Sequence, residues 1–249
     1  MNISDKSTKS NLKIAIIGKG NVGSHLCKAL ENKMTVCLLS SRGNILIPKD
    51  TDLALICVKD SLIAEVAAKI SFQTPVMAHT SGSVDMKILS PFSKSYGVLY
   101  PLQTFTKGIG MNYSDIPVFI EYSDDAAKKI LADTAGLISD NVNECDSEKR
   151  KWLHLGSVFA CNFTNAVMGV AEKILESQDL DFRHLYPLLE QTVKKLKTAK
   201  PLISQTGPAV RKDFTVMNTH MDLLSGNSEW QKLYSLISEI IIKNSDHDT

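Results

Sequence analysis

Residues Gly18-Lys19-Gly20-Asn21-Val22-Gly23 stand directly after an apolar run, 12–17, and directly before a stretch of helical character, 24–31. The spacing G-x-G-x-x-G therefore falls where a strand has to turn into a helix. The first glycine permits the tight turn, the second lets backbone come close to a phosphate, and the third lets helix and strand pack. Free N–H groups and the positive end of the helix dipole then favour an anion at the turn. Glycines reach this spacing by chance in many loops, but here both flanks agree. The segment predicts a dinucleotide-binding unit with Gly18, Gly20, Asn21, Val22 and Gly23 at the pyrophosphate.

From residue 12 to about 140, apolar runs alternate with helical stretches. The runs are 13–17, 34–39, 53–58, 76–78, 97–99 and 118–121, and the helical stretches 22–31, 62–70, 84–89 and 125–135. That alternation is the signature of parallel α/β winding. Residues 40–52, which contain Gly43, Asn44 and Pro48, are close to the lower limit for a parallel crossover and are expected to carry no full helix. After Asp146 the strand signal stops. A capped helix is expected from about 148 to 177, with Trp152, Leu155, Phe159, Phe163, Ala166, Val170 and Ile174 at helical spacing. Further helices are expected at 187–198, 213–224 and 229–243, followed by the polar tail 244–249. The expected fold is α/β: a Rossmann-type parallel sheet over residues 1–145, then an all-helical domain over 146–249 that opens on a long helix.

The composition, 43% hydrophobic and 22% charged with a formal charge of +1, is that of an ordinary globular chain. A charge so near zero gives no footing for nucleic acid or a membrane surface. The short basic runs Lys149-Arg150-Lys151 and Lys194-Lys195-x-Lys197 read as solvated helix faces. Residues 1–11 are polar, and no run approaches the ~18 apolar residues a membrane span needs, so a cytoplasmic protein is expected. Five cysteines, odd in number and widely spaced, suit buried reduced thiols better than disulfides, and no metal site is expected.

The end of the second strand meets the ribose 2′ position in a turn of this kind. NAD proteins usually place a carboxylate there. Here the strand ends in Ser40-Ser41-Arg42, with no carboxylate before Asp50. Two hydroxyls and a guanidinium suit a 2′-phosphate, which predicts NADP as the cofactor. The same missing carboxylate argues against an S-adenosylmethionine methyltransferase. Other strand ends, Val58-Lys59 and Thr80-Ser81-Gly82, are expected to complete the cofactor cleft.

With these residues assembled, the chain resembles the β-hydroxyacid dehydrogenase and pyrroline-5-carboxylate reductase superfamily, and within it the bacterial Rossmann-like proteins that carry a DUF2520 helical domain. The matching pieces are Gly18 to Gly23, His79-Thr80-Ser81-Gly82-Ser83, Tyr100-Pro101-Leu102-Gln103-Thr104-Phe105, the stretch 154–162, and 207–213 followed by His220. The resemblance implies an NADP oxidoreductase of undefined substrate. Hydroxyacid dehydrogenases of the superfamily use a lysine on the long helix to move the substrate's proton. This chain offers His154, Cys161, Asn162 and Asn165 in that region, and no lysine beyond Lys151.

Hydride transfer requires one group that gives or takes a proton, and a histidine does this near neutrality. His154 is the first candidate, with Asn162 and Gln103 as helpers; the competing reading of His154 is a structural histidine. The expected reaction is hydride exchange with a small carbonyl or imine compound in the interdomain cleft. Two other readings stay open: an NADP-binding redox sensor without turnover, and an F420-dependent NADP reductase. Arg211, Asp213 and His220 form a second polar group, in which Arg211 could clamp a substrate carboxylate, although a salt bridge to Asp213 or a dimer contact is the plainer expectation. His25 and His184 carry no assigned role. The helical domain has more apolar positions than it is expected to bury alone, which predicts a homodimer through it.

Overall fold

A computed structural model describes residues 10–245. Most of the polar segment 1–11 and the last residues of the tail lie outside them. Seven strands form one sheet: β1 (Lys13–Ile17), β2 (Thr35–Leu39), β3 (Leu53–Ile56), β4 (Val76–His79), β5 (Ser95–Pro101), β6 (Val118–Tyr122) and β7 (Val142–Glu144), in the order β2-β1-β3-β4-β5-β6-β7. β1 alternates its side chains between two cores. Ile14 and Ile16 pack with Leu26 and Leu30 of helix α1 (Asn21–Leu30) and Leu131 and Ala135 of α3 (Asp125–Ile138). Ala15 and Ile17 pack with Ile63, Val66 and Ala67 of α2 (Ile63–Lys69). Covering both faces is what an apolar parallel sheet demands.

The crossover 40–52 has no helix, as its turn residues predict; Ile45, buried to 3% exposure, fills the space a helix would cover. Three details depart from the sequence reading. The stretch 84–89 forms only a 3₁₀ turn, Met86–Leu89, because Asp85 caps it and Pro91 follows. β6 runs antiparallel to β5, since residues 102–117 between them supply no crossover helix. β7 is too short and polar to show a strand pattern, yet it pairs in parallel with β6.

The chain divides into two compact units, one ending at Phe163 and the other beginning at Thr164. α4 (Ser147–Ser157) therefore belongs to the sheet unit, although strands give way to helices already near residue 146. The single helix expected over 148–177 is α4, a π-helical segment Val158–Phe163, and α5 (Thr164–Glu176). The second unit continues with α6 (Tyr186–Leu196), α7 (Phe214–Leu223) and α8 (Ser228–Ser245). Among the described residues no helix is long and apolar enough to cross a membrane.

Candidate functional site

β1 lies between β2 and β3, so the chain leaves it in opposite directions on its two sides. Ligands of open α/β sheets bind outside the carboxyl ends of the strands at such a switch point. The glycine turn sits there, extending the ladders: Gly18 N–H donates to Leu39 O at 2.9 Å, and Cys57 N–H to Ile17 O at 2.8 Å. Gly18 has φ +125°, and a Cβ on it would lie 2.1 Å from the Cys57 carbonyl oxygen. A Cβ on Gly23 would lie 2.0 Å from Gly18 O, whereas one on Gly20 would meet nothing within 4 Å. Two glycines thus close the turn and the middle one faces open space. Burial pushes the Cys57 thiol beneath it up to about 12, so it stays protonated and inert.

The N-terminus of α1 has neither a side-chain cap nor an acidic residue in its first turn. The N–H groups of Asn21, Val22 and Gly23 precede the first intrahelical bond, from Ser24 to Gly20 O. α3 and α4, by contrast, are capped by Asp124 and Asp146. An uncapped turn with an open glycine is a cradle for an anion, and the residues fit a dinucleotide pyrophosphate. The Asn21 amide is committed elsewhere, donating to Phe105 O at 2.9 Å. His25 is buried beside it, bonded to Thr106 O at 2.8 Å and to the Tyr113 hydroxyl at 2.9 Å. These contacts lay part of the loop 102–117 along the first turns of α1. Nothing in the sequence around His25 signals them.

At the end of β2, the Ser40 hydroxyl accepts from Arg42 N–H at 3.1 Å, and the Arg42 side chain is exposed without an ion pair to any described residue. Val58 and Lys59 follow β3, and Thr80, Ser81 and Gly82 follow β4. Ser81 is buried, and its hydroxyl accepts from the N–H groups of Ser83 and Val84, each at 3.1 Å. The Ser83 hydroxyl donates to Asp60 at 2.5 Å, tying the β4 loop to the β3 loop.

His154 is half-buried, and its Nδ1 lies 3.1 Å from the Tyr100 hydroxyl. A Cβ on Gly82 would come within 2.8 Å of both rings, so the glycine is the floor under this pair. Burial raises the Tyr100 phenol above its usual value. Tyr100 entered the sequence reading only as part of a motif; pairing across 54 positions carries no local signal. Asn162 is exposed on the π segment, where each residue turns less than in an α-helix. That winding brings Asn162 closer to the face of His154 than a straight helix would. Gln103 is exposed and folds its amide oxygen back onto Thr104 N–H at 2.8 Å.

In the basic run at 149–151 the two lysines are solvated, but the arginine between them is not. Arg150 is 1% exposed and ion-paired with Glu121. Of the five cysteines only Cys57 is buried, and Cys161 is exposed. In the second unit Asp213 caps α7 through Val216 N–H rather than pairing with Arg211, and His220 bonds the Tyr234 hydroxyl at 2.8 Å.

Sheet order, glycine cradle and helical second unit define a Rossmann-type dinucleotide-binding protein with a helical companion. The chain belongs to the family described as a domain of unknown function, DUF2520, whose pattern matches residues 116–241. A Bacteroides fragilis protein provisionally named an NADP oxidoreductase is 32% identical, with a TM-score of 0.88 over 94% of this chain and 98% of its own. A Thermotoga maritima protein is 20% identical, with a TM-score of 0.69 over 94% and 99%. A reductive aminase of Aspergillus terreus, solved with NADPH and ethyl-5-oxohexanoate, shares the fold at 10% identity, with a TM-score of 0.66 over 94% of both chains. Comparison with curated proteins found no match.

Proposed function

We propose that this protein is an NADP(H)-dependent oxidoreductase acting on a small carbonyl or imine compound. The observation that carries the reading is the pairing of an open, uncapped glycine cradle with a titratable pair, His154 and Tyr100, against the loop that follows β4. Gly18, Gly20, Gly23 and the α1 N–H groups would hold the pyrophosphate, Ser40, Ser41 and Arg42 the 2′-phosphate, and Val58, Lys59, Thr80, Ser81 and Gly82 the remainder. The bound cofactor supplies the hydride.

The chain's own residues handle the proton. In its charged form His154 donates Nδ1–H to the Tyr100 oxygen and presents Nε2–H to the substrate heteroatom. Loss of that proton leaves the neutral Nδ1–H tautomer, still bonded to Tyr100. In the reverse direction Nε2 accepts the proton. The Ser157 hydroxyl, one turn further along the helix, donates to His154 O at 2.7 Å. Tyr100 holds the ring at Nδ1, which leaves Nε2 to exchange the proton. Asn162 and Gln103 are assigned to orienting the substrate.

Arg42 gives the direct test of cofactor choice. NADPH is expected to bind more tightly than NADH, and Arg42→Ala to raise the NADPH dissociation constant by about 10- to 100-fold while NADH changes little, as for one charge-assisted contact. Fluorescence titration of both cofactors decides it, and equal affinities in the wild type overturn the assignment.

The strand-rich residues 1–145 are assigned to the cofactor and 146–249 to substrate and subunit contacts, in a cytoplasmic homodimer. The second unit leaves Tyr186, Leu188, Phe214, Leu236 and Ile240 at least half exposed, and Ala209 is its one buried hydrophobic among the described residues. A second copy of the chain would cover these faces. Light scattering at micromolar concentration is expected to give twice the 27.4 kDa chain mass; a species of 27.4 kDa alone rejects the dimer.

A further inference from the structure

Glu121 stands in β6 inside an otherwise apolar strand, and its carboxylate meets donors from α4. Its carboxylate accepts from Ser147 N–H at 2.8 Å, from the Ser147 hydroxyl at 2.8 and 3.0 Å, and from the Arg150 guanidinium. Ser147 opens α4 and Arg150 lies in its first turn, so one strand carboxylate holds the start of that helix. The rest of the Arg150 fork faces elsewhere. Nε–H donates to Ser81 O at 3.2 Å, and the remaining amino group donates to Val84 O and to the Ser147 hydroxyl. Both carbonyls belong to the turn with Gly82 at its centre.

Arg150 is fully buried, and His154 follows it by four residues on the same helix face. The side chain that anchors α4 therefore also anchors the turn that is the floor of the His154–Tyr100 pair. A shift of either relative to the other would drive Gly82 into the two rings or open a gap beneath them.

We propose that Arg150, paired with Glu121, is a positioning residue that sets the distance and tautomer of the His154–Tyr100 pair by fixing α4 against the Ser81–Val84 turn. It touches neither substrate nor cofactor in this role. The assignment rests on the oxidoreductase reading for its purpose, but its geometry is tested without turnover.

Removing one partner alone would strand a buried charge and unfold the site, so the informative variant is Arg150→Met with Glu121→Gln. The glutamine keeps an acceptor for Ser147, and a cooperative melt near that of the wild type confirms folding. The readout is the imidazole nitrogen chemical shifts of His154 in the cofactor-free protein, assigned by their loss in His154→Gln. The wild type is expected to show a single Nδ1–H tautomer, and the double variant the averaged shifts of a freely exchanging imidazole. With a turned-over substrate, kcat is expected to fall about 10- to 100-fold, the scale of a small misplacement, while the NADPH dissociation constant stays within about twofold. A folded double variant that keeps the fixed tautomer overturns the proposal. If the tautomer is lost but the wild type reduces nothing, the positioning role holds and the oxidoreductase reading fails instead.

Discussion

Acidification from about pH 7 to pH 4 is expected to remove roughly 3 kcal/mol of folding stability through His79 alone. His79 ends β4 with no exposed surface, its Nδ1 accepts Ser81 N–H at 3.2 Å, and its Nε2 has no hydrogen-bond partner. Burial, and then the Arg150 charge, lower its pKa from 6.5 to about 4. The folded state therefore keeps the ring neutral while the unfolded chain takes up a proton below 6.5. Stability is fully present above that value and is lost as the pH falls through the window between 6.5 and about 4. Urea unfolding across this range should show the midpoint falling with a slope close to one proton. In His79→Gln the same slope should flatten. A wild type whose midpoint is constant from pH 7 to 4.5, or a variant with an unchanged slope, defeats the prediction.

The same network marks where the sequence stops being legible. The glycine turn could be read because its chemistry is local: three glycines, a strand before and a helix after. The crossover 40–52 was equally plain, since Gly43, Asn44 and Pro48 act within a few residues. Arg150 was not, because a lysine on either side gives it the look of a solvated stripe, and only the fold brings Glu121, Ser81 and Val84 to it. The lone carboxylate in the apolar run 118–122 was the one available hint. The π segment leaves no compositional trace either, since Val158 to Phe163 keep the apolar spacing of an α-helix. The antiparallel turn of β6 follows from what 102–117 lacks, a crossover helix. In each case the missing information is which distant residue arrives.

Replacing His154 with Gln is expected to lower turnover of a reducible substrate by about 10² to 10⁴. Glutamine preserves approximate length and can still bond the Tyr100 hydroxyl, but it has no proton to exchange at the position of Nε2. NADPH affinity should stay near the wild-type value, because the glycine cradle and Arg42 do not depend on this side chain. A structural histidine would behave otherwise: the melting temperature would fall, and rate and binding would change together or not at all. Tyr100→Phe sharpens the distinction. It leaves His154 in place without its Nδ1 partner, so kcat should fall less than in His154→Gln, and its pH profile should shift as the ring loses the bond that fixes its tautomer. Oxidation of NADPH followed at 340 nm with a panel of small keto acids, ketones and imines supplies the measurement. Unimpaired turnover in a stable His154→Gln protein would remove the histidine from catalysis. The proton would then have to come from Tyr100 itself, whose raised pKa keeps its hydrogen in place at neutral pH.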